Sequence, residues 1–67
     1  MPIIQVHLLE GRSTPVKKEL IRNLTQTTCK TLGVAPESVR VILQEMAPHH
    51  FGIAGEPVSR CKIPGVD

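Results

Sequence analysis

The sequence predicts the α/β fold class: one β-α-β subunit with two parallel strands, one long helix and a short C-terminal hairpin. Two segments rich in β-branched and aliphatic residues have the length of strands, and the long segment between them repeats apolar residues at helical spacing. Strand, helix and strand in this order form a parallel pair with a right-handed crossover. Because the chain has 67 residues, it has room for one domain only, spanning residues 1–67.

Strand-like segments lie on both sides of the helix. The first strand is predicted at Ile3–Leu9, where side chains alternate between two faces. The second strand is predicted at Val39–Met46, and its apolar residues occupy both faces, so the pattern leaves open which face packs on the helix. Glycines and prolines beyond it predict a short hairpin around Phe51–Ala54, and residues 60–67 are expected to form a loose tail.

A long helix is predicted between the strands. Thr14 is the expected N-cap, and Pro15 suits the first helical position, where its missing N–H costs nothing. Gly33 follows the last periodic residue and is a typical stop signal. The residues of the expected apolar stripe recur every four positions or lie beside that series: Val16, Leu20, Ile21, Leu24, Thr28 and Leu32.

The apolar content is small for an isolated subunit. Leu, Ile, Val and Phe supply 20 of the 67 residues, with one Phe and neither Trp nor Tyr. A chain of this size buries only about 60% of its unfolded surface. One helix covers one face of a two-stranded sheet, which leaves an apolar face and two open edges. The pattern therefore predicts that copies of the chain associate into a homo-oligomer.

Other ways of stabilising a small domain find little support in the sequence. Cys29 and Cys61 are expected to be reduced thiols, because no secretory signal precedes them. The histidines lack metal-ligand spacing, and the adjacent His49 and His50 are expected on a loop surface, so no metal is expected. The N-terminal apolar segment is too short for a signal peptide or a membrane span. The expected location is the cytoplasm, away from the membrane.

The charge pattern favours a small anion over nucleic acid as the partner. Eight Lys and Arg against six Asp and Glu give a dispersed net charge of +2, without interleaved stacking aromatics. Arg12 follows the first strand and Arg40 lies in the second, and ordinary surface charge is the alternative role for each. Because a guanidinium binds a carboxylate through two parallel hydrogen bonds, two arginines near one base suggest a dicarboxylate or a keto acid.

Pro2 is the candidate base. An initiator Met is commonly removed before a small residue such as Pro, and we expect the loss of Met1 to leave Pro2 with a secondary amine. An ordinary α-amino group titrates at about 7.7–8.0, and proline is more basic, so burial or nearby cations must lower its pKa toward neutrality. Pro2 and Arg12 lie at opposite ends of the first strand, about 25 Å apart, so they cannot share a site within one subunit, but two antiparallel copies could bring them together. The alternative is that Pro2 is an incidental second residue.

Several segments together resemble the 4-oxalocrotonate tautomerase family. They are P-I-I-Q-V-H-L-L-E-G-R-S at the N terminus, S-V-R-V-I at residues 38–42, and E-M-A with H-F-G-I-A-G-E at residues 45–47 and 50–56. The resemblance implies cofactor-independent β-α-β subunits, usually hexamers built as trimers of dimers, that use an N-terminal proline for keto–enol isomerisation. The type substrate is 2-hydroxymuconate, which is converted to 2-oxo-3-hexenedioate in the breakdown of aromatic compounds.

The resemblance also implies a role for each matching residue. Pro2 is the general base and then the general acid. Arg12 binds the distal carboxylate, and Arg40 engages the 2-oxo oxygen and the proximal carboxylate. Phe51 supplies an apolar wall that keeps Pro2 neutral, and the backbone N–H of Leu9 is a further hydrogen-bond donor.

Alternative functions remain open from the sequence. The chain departs from the family's pattern at Thr14-Pro15 and Pro48-His49, which leaves the loop around Phe51 and the substrate preference undecided. The same pocket could serve dehalogenation or decarboxylation of a small unsaturated acid by proline-assisted hydration. The chain could also be a non-catalytic β-α-β association module, in which the arginines cap contacts between copies.

Overall fold

The computed structural model describes residues 1–58, and these residues form one β-α-β unit followed by a hairpin. The predicted tail at 60–67 and Cys61 lie outside the described residues. Short 3₁₀ turns precede the second strand and the hairpin. The strands and the helix are β1 (Ile3–Leu9), α1 (Thr14–Leu32), β2 (Arg40–Met46), β3 (Gly52–Ile53) and β4 (Glu56–Pro57).

The two main strands are parallel, as the sequence predicts. Ile3 lies opposite Arg40 at one end of the sheet, and Leu9 lies opposite Met46 at the other. Strands β3 and β4 pair antiparallel, which confirms the C-terminal hairpin. The predicted range Phe51–Ala54 includes β3 and the start of the turn. Strand β4 lies outside that range, because it begins at Glu56.

One face of the sheet packs on α1 and the other is open. Ile4, Val6 and Leu8 of β1 are half-buried, whereas Ile3 is 58% exposed and Ile42 of β2 is 43% exposed. The sequence left open which face of β2 packs on the helix. The structure shows that it is the face of Val41 and Leu43, which are half-buried. An open face that exposes isoleucines agrees with the predicted need for a further copy.

The packed core of the described chain is small. Among residues 1–58, the buried apolar side chains are Val39 and Val58, each 8% exposed. Strand β2 begins at Arg40, one residue later than predicted. Val39 belongs to the preceding turn, because its N–H donates to the Pro36 carbonyl at 3.2 Å. A subunit with so little buried apolar surface is expected to gain much of its stability from association.

Helix α1 begins one residue earlier than predicted. Ser13, rather than Thr14, is the N-cap, and Thr14 is the first helical residue, with Pro15 in the first turn. The C-terminal end agrees with the prediction, since Gly33 adopts a left-handed φ of 70° and donates its N–H to the Cys29 carbonyl at 2.9 Å.

The predicted apolar stripe is wider than the face that packs on the sheet. Leu20 and Leu24 are half-buried, but Val16 is 53% exposed and Leu32 is 59% exposed. A spacing of four residues advances about 40° around a helix, so the two ends of the series turn away from the sheet. These end residues lie beyond the sheet-facing side of α1.

Two backbone hydrogen bonds define which groups of β1 face β2. The Arg40 N–H donates to the Pro2 carbonyl at 3.0 Å, and the Glu10 N–H donates to the Met46 carbonyl at 2.9 Å. Alternate residues of a strand bond to the same neighbour in a parallel ladder. The backbone groups of the odd-numbered β1 residues, Leu9 among them, therefore point to the opposite edge. Within residues 1–58 no other strand lies at that edge, so it is open to a strand of another copy.

Candidate active site

A cavity of about 270 Å³ lies at the carboxyl end of the β1–β2 sheet. Its walls are mostly apolar, and one guanidinium lies among them. Three of the residues singled out from the sequence meet here: Leu9 at the end of β1, Arg12 in the loop that follows, and Phe51 before β3. The residues that line the cavity are His7, Leu8, Leu9, Arg12, Met46 and Phe51.

Arg12 is held in this cavity by the strand that precedes it. Its Nη1 donates to the Leu9 carbonyl oxygen at 3.1 Å, and the side chain is half-buried. That carbonyl is available because it points to the open edge of β1. A guanidinium has five N–H donors, so a single bond to the backbone leaves donors for a carboxylate. The arrangement therefore presents a partly oriented anion-binding group.

Phe51 reaches the cavity from a tight connection after β2. The 3₁₀ turn Pro48–His50 ends at Phe51, whose N–H donates to the Pro48 carbonyl at 3.1 Å. The Phe51 carbonyl in turn accepts the N–H of the buried Val58 at 2.8 Å. Both bonds fix the backbone of Phe51, while its side chain lines the cavity and remains 39% exposed.

Pro2 and Arg40 lie together at the other end of the sheet. They are joined by the bond between the Arg40 N–H and the Pro2 carbonyl, at 3.0 Å. The Arg40 Nη1 also donates to the Glu37 carbonyl at 2.6 Å, which holds this exposed guanidinium against the 3₁₀ turn Pro36–Ser38. Neither Pro2 nor Arg40 lines the cavity. The residues singled out from the sequence thus form two groups, one at each end of β1.

The chemical state of Pro2 depends on Met1. With Met1 attached, the Pro2 nitrogen is an amide nitrogen without a proton and is not basic. Met1 is 77% exposed, so the peptide bond that joins it to Pro2 lies at the surface of the subunit. Removal of Met1 would convert this nitrogen into a secondary amine beside Arg40.

Sequence reasoning missed part of the cavity wall. His7, Leu8 and Met46 line it, and none of them was singled out as a site residue. The alternation along β1 places His7 and Leu9 on the same face, which was a usable signal. Met46 could not be assigned in this way, because its position opposite Leu9 depends on the strand register.

The remaining histidines and the length of α1 indicate neither a metal site nor a membrane span among residues 1–58. The rings of His49 and His50 lie 4.3 Å apart in an edge-to-face arrangement, and both residues are exposed. In residues 1–58, no three His, Cys, Asp or Glu side chains are grouped closely enough to hold a metal ion. Over the same residues, no helix has both the length and the hydropathy needed to cross a membrane.

Comparison with known proteins identifies the family. A family model described as tautomerase enzyme matches residues 2–60. The chain belongs to the tautomerase family. A probable tautomerase of Ralstonia nicotianae is 52% identical over 67 residues, covering 100% of this chain and 96% of the relative. A 2-hydroxymuconate tautomerase of Pseudomonas putida is 48% identical over 62 residues, covering 92% of this chain and 98% of the relative.

The solved structures agree with this membership. A chain of a heterohexamer 4-oxalocrotonate tautomerase from Chloroflexus aurantiacus superposes with a TM-score of 0.86 at 34% identity, covering 92% of this tautomerase and 100% of that chain. The resemblance noted from the sequence is therefore confirmed at the level of family and fold. An isomerase activity follows from the family.

Proposed function

We propose that this tautomerase catalyses keto–enol isomerisation of an unsaturated 2-hydroxy or 2-oxo diacid such as 2-hydroxymuconate, which it converts to 2-oxo-3-hexenedioate. Pro2, freed by removal of Met1, acts as the general base and then as the general acid. The observation that carries the proposal is the arrangement of two tethered arginines, one beside Pro2 and one in an apolar cavity. The name of the relative from Pseudomonas putida supports the choice of substrate.

Two arginines match the two carboxylates of such a diacid. Arg12 would bind the distal carboxylate, and Arg40 would engage the 2-oxo oxygen and the proximal carboxylate. Each guanidinium donates one hydrogen bond to a backbone carbonyl three residues earlier, which restricts its orientation before substrate binds. Pre-orientation lowers the entropy lost on binding and leaves the other donors free for oxygen atoms of the substrate.

Proton transfer by Pro2 completes the reaction. The neutral amine takes the proton of the enol hydroxyl, and the electron pair of the broken O–H bond enters the conjugated system as a dienolate. Arg40 stabilises the negative charge that develops on the oxygen. The protonated amine then returns the proton to carbon, which gives the 2-oxo acid and restores neutral Pro2. The reaction consists of proton transfers alone, so no cofactor is invoked.

The surroundings proposed for Pro2 favour its neutral form. An apolar wall from Phe51 would disfavour an ammonium ion through loss of hydration, and the positive charges of Arg12 and Arg40 act in the same direction. Both effects lower the pKa of the proline amine toward neutrality. The N–H of Leu9, which points to the open edge of β1, supplies a further donor for a substrate oxygen.

The site requires more than one copy of the chain. Strand β1 has seven residues and spans about 23 Å, which separates Pro2 from the cavity within one subunit. Antiparallel pairing of the open β1 edges of two copies would place Pro2 of one copy beside the Leu9–Arg12 segment of the other. We therefore propose a homo-oligomer, and a hexamer built as a trimer of dimers is the state we expect. The heterohexamer from Chloroflexus aurantiacus supports this choice.

An ultraviolet assay of enol acids tests the proposal. Chain that begins at Pro2, with its mass verified, should accelerate ketonisation of 2-hydroxymuconate, and of the monoacid phenylenolpyruvate to a smaller extent. Chain that retains Met1 is the matched control, since it differs only by that residue, which makes the Pro2 nitrogen an amide. Absence of acceleration for both acids by Met1-free, assembled chain would reject the tautomerase mechanism and favour the non-catalytic association module.

A further inference from the structure

We propose that Gly11 is a positioning residue for Arg12, and that its backbone conformation sets the preference for a diacid over a monoacid. The inference rests on the proposed function, because it assumes that Arg12 binds the distal carboxylate. Gly11 has a φ of 122°, in a region that residues with side chains rarely adopt. It immediately precedes Arg12 in the chain.

The loop that carries Arg12 is fixed on both sides. On the strand side, the Glu10 N–H is bound to the Met46 carbonyl at 2.9 Å. On the helix side, the Ser13 carbonyl accepts the N–H of Lys17 at 3.1 Å, in the first turn of α1. Only Gly11 and Arg12 lie between these two anchored residues, so the direction of the chain must change within this pair.

The turn lets Arg12 fold back onto its own strand. Its Nη1 meets the carbonyl of Leu9 at 3.1 Å, which keeps the guanidinium in the cavity lined by Leu9 and Phe51. A different φ at Gly11 would rotate everything that follows relative to β1. Because Ser13 is anchored to the helix, the Arg12 side chain would absorb the change and lose its bond to Leu9.

Available space does not explain why glycine stands at this position. A Cβ built on Gly11 would meet no atom within 4 Å, so an added methyl group is not excluded by contact. The requirement comes from the backbone angle alone. An L-residue with a side chain at position 11 would therefore change the backbone φ there and, as a result, the position of the Arg12 side chain.

Selectivity between two acids separates this role from a general structural one. In the proposed site a monoacid such as phenylenolpyruvate uses Arg40 and Pro2, whereas 2-hydroxymuconate also needs Arg12. We expect Gly11→Ala to lower kcat/KM for 2-hydroxymuconate by roughly tenfold to a hundredfold, mainly through a higher KM, as for a lost hydrogen bond to a charged group. The value for phenylenolpyruvate should change far less.

Two controls isolate the backbone angle. Gly33 also has a positive φ, of 70°, and a Cβ built on it would meet no atom within 4 Å, but it lies at the end of α1, so Gly33→Ala places an alanine at a positive φ away from the cavity. Its ratio of diacid to monoacid kcat/KM should equal that of the parent.

The second control places D-alanine at position 11, which is feasible because a chain of 66 residues is accessible to total synthesis. D-alanine favours positive φ, so the chain that carries it should retain the parent ratio of diacid to monoacid kcat/KM. If the chain with L-alanine does not assemble, Gly11→Asn replaces it, because Asn tolerates positive φ better, and a smaller shift in the same direction is expected.

The outcomes separate this inference from the proposed function. If the parent converts neither acid, the proposed function fails. If the parent converts both, the inference is overturned by any of three results. These are an unchanged ratio in the Gly11→Ala or Gly11→Asn chain that assembles, an equal loss with both acids, and a loss with D-alanine as large as that with L-alanine. A selective loss that D-alanine reverses supports it.

Discussion

The two ends of the β1–β2 sheet hold an arginine in the same way but differ in everything else. At each end one guanidinium N–H donates to the carbonyl three residues earlier, from Arg12 to Leu9 and from Arg40 to Glu37. At the carboxyl end the arginine is half-buried in an apolar cavity, whereas at the amino end it is exposed beside Pro2. One end thus has the mostly apolar cavity, and the other has Pro2, which does not line that cavity.

In the proposed mechanism, this difference makes one subunit half of a site. A hydrogen-bonded strand pair cannot fold back on itself, so no loop movement within a chain brings Pro2 to the cavity. In the proposed oligomer, a second copy in reversed orientation would do so, because antiparallel alignment places the amino end of one β1 against the carboxyl end of the other. This pairing would cover the open edge, and further packing within the proposed oligomer would cover the exposed isoleucines.

Retention of Met1 should have the largest effect, because it removes the base from the amino end. We expect the Met1-bearing chain to lose a factor on the order of 10²–10⁴ in kcat on 2-hydroxymuconate, the range that general acid–base catalysis contributes. Steady-state kinetics on synthetic chains that begin at Met1 or at Pro2 measures it. Sedimentation velocity should give the same oligomer for both. Full activity with Met1 retained would contradict the role of the Pro2 nitrogen.

Removal of either arginine should have the next largest effect. Arg12→Ala and Arg40→Ala should each cost about 1.5–3 kcal/mol of transition-state stabilisation, or roughly tenfold to a hundredfold in kcat/KM on the diacid. With phenylenolpyruvate, only Arg40→Ala should cost as much. Gel filtration of both variants should match the parent. If either substitution abolishes assembly together with activity, that arginine holds the oligomer and not the substrate.

Mixing two defective chains tests whether the ends cooperate between copies. One chain retains Met1 and has an intact Arg12, and the other begins at Pro2 and carries Arg12→Ala. In a mixed antiparallel pair, one of the two sites receives an intact amine and an intact arginine. Equal mixing after denaturation and refolding should therefore restore about one quarter of the parent activity, because half of the pairs are mixed and each has one complete site.

The expected recovery has a clear contrary outcome. If Pro2 and Arg12 had to act within one chain, neither of these chains would carry both groups, and activity would stay at the sum of the separate preparations. The same mixture prepared without the denaturation step controls for slow exchange of subunits.

Much of the fold follows from residue pattern, but the register does not. The alternation in Ile3–Leu9 and the stop at Gly33 predict β1 and the end of α1, which the structure confirms. Strand β2 has apolar residues on both faces, so which of its faces packs on α1 is decided only by tertiary packing and by pairing with β1. The register of β2 against β1 places Met46 opposite Leu9, and Met46 therefore contributes to the cavity.

Prediction of the site was limited for a related reason. Residue type and position singled out Pro2, Arg12 and Arg40 as candidates, with an incidental proline and surface charge as the alternatives, and the family resemblance supplied their roles. Arg12 donates to the Leu9 carbonyl next to a φ of 122° at Gly11, and the sequence predicts neither feature, because many loops contain a glycine. The N-cap was misplaced by one residue because Ser13 and Thr14 are both good caps and the backbone alone distinguishes them.

The smallest expected effect lies in the hairpin behind Phe51, at the turn that joins β3 to β4. Ala54 has a left-handed φ of 54°, which costs a residue with a side chain about 1–2 kcal/mol, and the following Gly55 has a φ of 84°. Ala54→Gly removes that strain but gains flexibility in the unfolded chain, so we expect a net stabilisation of up to about 1 kcal/mol. Gly55→Ala should destabilise by a comparable amount. Urea unfolding at equal chain concentration measures both, because the stability of an oligomer depends on concentration. Equal stability of the two variants would show that the turn adjusts its backbone angles without cost. The backbone of Phe51 would then be held by its hydrogen bonds to Pro48 and Val58 alone.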